Sequence, residues 1–238
     1  MKSRRGLPQG ARTAGVAALV VAVGLGAALA GGLFGESSPV NVELRRSEAA
    51  PLSALATVRS PEPVRLAVEV AGLDGEDLRF TRGEFRTEHS VPVLGLYPDY
   101  ENHITFTATA RDGEVTEIVR TLRTAPLPEH YPEVHLERLL PERISDGMML
   151  LHLAAYDDEG TYIPLASVVD THGRVRWIYT EDYGHVLAPL ENGDLMVQKE
   201  NRVVQMDWLG RTPWDGFEVP EGLHHDAAEL PDGNLLAL

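Results

Sequence analysis

The sequence predicts an all-β fold, an N-terminal β-sandwich-like domain followed by the first blades of an incomplete β-propeller. Three observations predict it. Apolar residues alternate with period two over short runs, Gly, Pro, Asn and Asp clusters separate those runs, and a pair of markers returns about every 40 residues.

Residues 1–35 read as a signal peptide or membrane anchor. Lys2, Arg4, Arg5 and Arg12 precede an uncharged run from Ala14 to Phe34 built from Ala, Val, Leu and Gly. Ala28-Leu29-Ala30 before Gly31 is a small-x-small cleavage pattern, and about 20 apolar residues would equally span a bilayer. A buried core helix fits less well, because the run is apolar on every face. Either way the remainder is expected outside the cytoplasm, with the membrane touched only through this segment.

Residues 36–125 are expected to form the sandwich-like domain. Ser37, Ser38 and Pro39 open it, and Ser60-Pro61-Glu62-Pro63 marks a break after a first ordered segment. Val64, Leu66, Val68 and Val70 then alternate with Arg65, Ala67 and Glu69, the pattern of a strand with one buried face. Gly72 to Gly75 supplies a turn. Short β-rich runs follow at Phe80, Phe85, Val91 to Leu94 and Ile104 to Ala108, and Asp112-Gly113 turns the chain into a return strand from Val115 to Thr124. Residues 126–140 form a linker, because Pro126, Pro128, Pro132 and Pro141 cannot donate to a central ladder.

Residues 141–238 repeat. Asp170, Gly173, Arg174 and Trp177 return as Asp207, Gly210, Arg211 and Trp214 with identical internal spacing, 37 residues later. A second marker, Leu190-Glu191-Asn192-Gly193-Asp194-Leu195, returns 40 residues on as Leu230-Pro231-Asp232-Gly233-Asn234-Leu235, with an earlier relative at Ser145-Asp146-Gly147. Such a period with four short strands per unit is that of propeller blades. One blade reads in full: His185 to Leu190, Leu195 to Lys199, Val203 to Asp207 and Thr212 to Phe217. The next inner strand would run from His224 to Leu230. About two and a half blades are present, and a ring needs at least four, so the chain is expected to be the N-terminal part of a longer protein.

Composition excludes several functions. With no cysteine there is no disulfide, thiolate metal site or cysteine nucleophile. After residue 35, 17 bases face 36 acids, a formal charge of −19. An acidic body without a basic stripe argues against a nucleic-acid partner.

The candidate chemistry gathers at His224-His225-Asp226, on an inner strand just before a tight turn. Side chains alternate along a strand, so only one of the two histidines can face a central channel, and Asp226 shares a side with His224. His185 is equivalent to His225 when Gly193 is aligned with Gly233. The alternatives are a histidine packed against an acidic neighbour, or a metal site, for which the chain supplies no clear further ligands. No metal and no cofactor are expected.

The His-His-Asp segment, the Asp-x-x-Gly-x-x-x-Trp blade markers and the stretch Val91-Pro92-Val93-Leu94-Gly95-Leu96-Tyr97-Pro98-Asp99-Tyr100 together resemble the bacterial arylsulfotransferases, the aryl-sulfate sulfotransferases that need no nucleotide donor. The resemblance covers most of residues 40–238. It implies a small N-terminal β domain and a six-bladed propeller, exported to the periplasm and often a homodimer. It also implies transfer of a sulfuryl group from a phenolic sulfate donor to a phenol acceptor through a sulfated histidine. The family's nucleophile lies in later blades, so the fragment alone is expected to be inactive. His225 is assigned to binding or deprotonating the phenol, with His224 as the alternative if the register shifts by one, and Asp226 and His185 to substrate binding. The absence of cysteine departs from family members that carry a disulfide. The other function class is a non-catalytic periplasmic propeller that binds or scaffolds.

Overall fold

A computed structural model of the chain describes residues 39–140, 147–218, 227–232 and 234–237. Among these residues every regular element is a β-strand. The N-terminal part consists of β1 (Asn41–Arg46), β2 (Ala54–Val70), β3 (Leu78–Val93), β4 (Glu101–Ala110) and β5 (Val115–Arg123). They form one antiparallel sheet in the order β1-β2-β4-β5, with β3 also paired to β2.

The sandwich-like core comes from curling this single sheet. β2 is continuous through Ser60 to Pro63, where a break was expected. Its first half pairs with β1 as far as Asn41↔Arg59, and its second half pairs with β4 from Val64↔Ala110 onward. Pro61 and Pro63 thus fall between the two partners, where no ladder bond is missed, and the β2–β3 register shifts there. Likewise Phe80, Phe85 and Val91 lie on one long strand, β3. The curl buries Val58, Leu66, Val68, Val70, Val93, Ile104 and Phe106.

The chain from Thr124 to Leu140 has no regular structure. Three sheets follow. β6 (Met149–Tyr156), β7 (Tyr162–Val169) and β8 (Val175–Tyr179) make one antiparallel meander. β9 (Val186–Pro189), β10 (Leu195–Lys199), β11 (Arg202–Met206) and β12 (Trp214–Glu218) make a four-stranded one, and β13 (Ala227–Glu229) pairs with β14 (Leu235–Ala237). Successive meanders of this kind are compatible with propeller blades.

The repeated markers are turns with one chemistry. Asp170 Oδ1 accepts the amides of His172 and Arg174, each at 2.9 Å, and Asp207 Oδ1 accepts those of Leu209 and Arg211, each at 2.9 Å. Gly173 and Gly210 close both turns at φ 75° and 78°, where a side chain is disfavoured. Asp157 repeats the device between β6 and β7, accepting the Thr161 amide at 2.7 Å.

The two sheets built from β6–β8 and β9–β12 enclose Ala166, Trp177, Tyr179, Tyr183, Leu195, Val197, Val204 and Met206. The first of them also packs onto the curled sheet, because Val169, Val175 and Ile178 belong to the same core as Leu66 and Phe106. Arg176, 2% exposed, seals that seam.

Candidate functional site

His224, His225 and Asp226 lie outside the described residues. His185 is described, and the structure places it directly before β9. Its carbonyl accepts the Gln198 amide at 2.8 Å, while the Gly184 amide donates to the Gln198 carbonyl at 2.8 Å. The β9–β10 ladder is therefore carried past its bulge to the histidine. A side chain at 184 would meet that of Gln198 at 3.2 Å, so glycine allows the close approach.

His185 meets His152 of β6, with ring centroids 4.8 Å apart at 36°. His152 is the centre of a cluster. Its Nε2 is 3.0 Å from the Tyr162 hydroxyl and its Nδ1 is 3.3 Å from the Tyr183 hydroxyl. In a neutral imidazole one nitrogen donates and the other accepts, so one tyrosine must accept and the other donate, which makes a path for protons. The Tyr183 ring packs edge-on against His152, at 5.6 Å, and against Tyr179, also at 5.6 Å.

Burial is the main cause that holds the Tyr183 phenol well above its ordinary pKa, with Tyr162 and Tyr179 adding to it. Tyr183 consequently keeps its proton. Lys199 donates to the Tyr179 hydroxyl at 2.6 Å. Behind Tyr179, Trp177 stacks at 6.4 Å and donates from its indole to the Trp208 carbonyl at 2.8 Å. Tyr183 and Lys199 also line a cavity of about 450 Å³, with Arg202 and Thr212 on its wall. Asp182, Glu200 and Asp215 line the same cavity, and Arg202 is paired with Asp215 at 3.3 Å. Of the histidine cluster only Tyr183 reaches this space, while the imidazole pair and its two phenolic hydroxyls can relay a proton beside it.

Sequence reasoning singled out His185 and missed His152, Tyr162, Tyr183 and Lys199. His152 sits inside the apolar run Met149 to Tyr156, where it reads as an ordinary strand residue. A polar residue in the middle of that run was the available signal. Among the described residues no group of three or more His, Asp or Glu side chains could hold a metal ion. No helix of the described residues is long and apolar enough to cross a membrane.

The comparisons agree with a sandwich-like N-terminal domain. A family model described as the arylsulfotransferase Ig-like domain matches residues 41–125, and one described as arylsulfotransferase (ASST) matches residues 133–238. No curated protein matches the chain. The two family models together span well over half of the sequence and meet at the proline-rich connection, and on that basis the chain belongs to the arylsulfotransferase family.

Proposed function

We propose that this chain is part of an exported aryl-sulfate sulfotransferase that moves a sulfuryl group from a phenolic sulfate ester to a phenol. Supporting it, beside the family membership, is one arrangement: the His152–His185 pair with Tyr162 and Tyr183 on the two nitrogens of His152. In the proposed reaction a histidine nitrogen attacks sulfur, the S–O bond to the donor breaks, and the donor phenolate leaves with the electron pair and gains a proton. The acceptor phenol then loses its proton to a base, its oxygen attacks sulfur, and the S–N bond breaks.

His225, with His224 as the alternative in a shifted register, takes the acceptor proton. Asp226 and His185 bind substrate, and the imidazole–tyrosine cluster hands the proton on. No residue of the 238 is assigned as the covalent nucleophile, so the fragment alone is inactive. The N-terminal segment directs the protein to the periplasm or holds it at the inner membrane facing the periplasm, and the assembled enzyme is a homodimer.

The test is transfer from 4-nitrophenyl sulfate to phenol by the complete exported protein. His225→Asn is expected to cut the rate at least a hundredfold with folding intact. No transfer by the complete protein would instead point to a propeller that binds or scaffolds.

A further inference from the structure

Two successive sheets repeat one ladder position. His152 stands five residues after Gly147 and pairs with Ala166 across β6 and β7, while Gln198 stands five residues after Gly193 and pairs with Val203 across β10 and β11. Ala166 and Val203 are themselves 37 residues apart, the interval that relates Asp170 to Asp207. Two separate markers therefore make Gln198 the counterpart of His152. His185 and His225 correspond in the same way, since each lies eight residues before its turn glycine, Gly193 or Gly233.

The faces correspond as well. Ala166, across from His152, is buried in the core between the first and second blade-like sheets, and on that side the His152 ring meets the ring of His185 at 4.8 Å. Val203, across from Gln198, is buried with Met196 in the next core, which takes in Ala227 at the start of β13, two residues after His225. Cross-strand neighbours share a face of their sheet, so the Gln198 side chain faces the third sheet as His152 faces the second.

One polar atom on that face is unsatisfied. Gln198 Nε2 donates to the Glu200 carbonyl at 3.3 Å, which identifies the other end of the amide as the oxygen. That oxygen, Oε1, is buried with no hydrogen-bond partner among the described residues. A buried acceptor without a donor is costly, so it marks a place for an N–H or O–H group. The amide has little room to turn away, because a Cβ at Gly184 would lie 3.2 Å from its Cδ.

We infer that Gln198 is a positioning residue whose amide oxygen accepts a ring N–H of His225, so that the second sheet meets the third unit's histidine as His152 meets His185. The inference rests on the reading of His225 as the base that takes the phenol proton. Such a base needs one unprotonated nitrogen aimed at the phenol, and the hydrogen bond made by the other nitrogen fixes which one that is. A neutral amide does this without adding negative charge, so the imidazole stays a free base at neutral pH, whereas a carboxylate in its place would raise the imidazole pKa. His185, Lys199 and Glu200 beside Gln198, Glu229 on β13, and His224 and Asp226 beside His225 are the titratable neighbours, and they are the same in every Gln198 variant.

The experiment is histidine-selective nitrogen NMR of the complete exported protein, with the His225 signal assigned by its disappearance in His225→Asn, alongside kinetics of transfer from 4-nitrophenyl sulfate to phenol. The parent should show neutral His225 as a single tautomer. Gln198→Met, close in length but without the oxygen, should give a mixture of both tautomers and cut kcat about tenfold with the phenol KM little changed. Gln198→Glu should raise the His225 titration, and the acid limb of kcat, by about one pH unit. Tautomer and titration are read without turnover, so a complete protein that responds in both yet transfers no sulfuryl group keeps the pairing and loses the transferase reading. A neutral His225 that already exchanges between both tautomers in the parent overturns the inference, and this measurement needs no Gln198 variant to fold. So does a folded Gln198→Met whose tautomer and kcat match those of the parent.

Discussion

The Arg176 guanidinium lies 3.8 Å over the ring of Tyr97 and donates to the Gly95 carbonyl at 2.7 and 3.0 Å. One residue thus ties the turn of the N-terminal domain to strand β8. It also pairs with Asp170 at 3.2 Å, the carboxylate that organises the β7–β8 turn. Asn102 braces the same turn from within, accepting the Tyr97 amide at 2.8 Å and donating to the Tyr97 carbonyl at 3.1 Å. The Val91 to Tyr100 stretch is accordingly a docking element, whose tyrosine is the face on which the arginine rests.

Removing that arginine should be costly. Arg176→Ala leaves the nearly buried Asp170 carboxylate and the Gly95 carbonyl without their partner, and about 3–5 kcal/mol of stability is expected to be lost. Arg176→Lys should recover only part of it, since an ammonium cannot hold both groups and stack on the ring. Chemical denaturation of the three proteins checks this, and a loss under about 1 kcal/mol in the alanine variant would show that the seam is held elsewhere.

Two equivalent glycines should respond unequally. Gly173→Ala meets only Leu136 and Val134 at ordinary contact distances, so its cost is the backbone strain of a positive φ, about 1–2 kcal/mol. Gly210→Ala adds a clash with Ala49 at 2.7 Å and the Tyr179 ring at 2.9 Å, and should cost clearly more. Equal losses in thermal unfolding would contradict the close seam.

Tyr183 predicts an alkaline limb of stability. Its folded pKa is raised, so the unfolded chain releases this proton first; the contribution is fully present below about pH 10 and is lost as pH rises above it. Urea unfolding from pH 8 to 11 should show this decline, and Tyr183→Phe should flatten it.

Asp157 predicts the opposite limb. Hydrogen bonds from the backbone, that of Thr161 foremost, hold its carboxyl below the ordinary range. Its contribution is present above the usual aspartate pKa and is lost as pH falls. Asp157→Asn can still accept the Thr161 amide and should remove that part of the acid dependence in the same unfolding experiment.

His152 should matter to turnover. In the complete protein, His152→Gln is expected to slow phenol acceptance about tenfold to a hundredfold and to alter the pH profile of kcat. Tyr162→Phe, which removes one of the two hydroxyls on the imidazole, should change the profile with a smaller loss of rate. An unchanged profile in both would make the cluster a packing feature.

The 37-residue return of Asp, Gly, Arg and Trp, the Asn192-Gly193 turn and the alternation from Val64 to Val70 are local chemistry, and each stands in the structure where the residues indicate. Turn aspartates accept the amides two and four residues on, and glycine alone adopts the positive φ comfortably, so such features can be read from a few neighbouring residues. The continuity of β2 through Pro61 and Pro63 could not be read this way. It depends on which strands pair along its edge, with the pairing to β1 ending at Arg59 of β2 and the pairing to β4 beginning at Val64. The meeting of His152 with His185, 33 positions apart, is likewise a product of sheet packing. So is the seam that gives Arg176 the Gly95 carbonyl. Short-range hydrogen bonding and side-chain alternation determine strands and turns from sequence, whereas the site and the seams arise where separate sheets bury their faces against one another, and only the folded chain decides that.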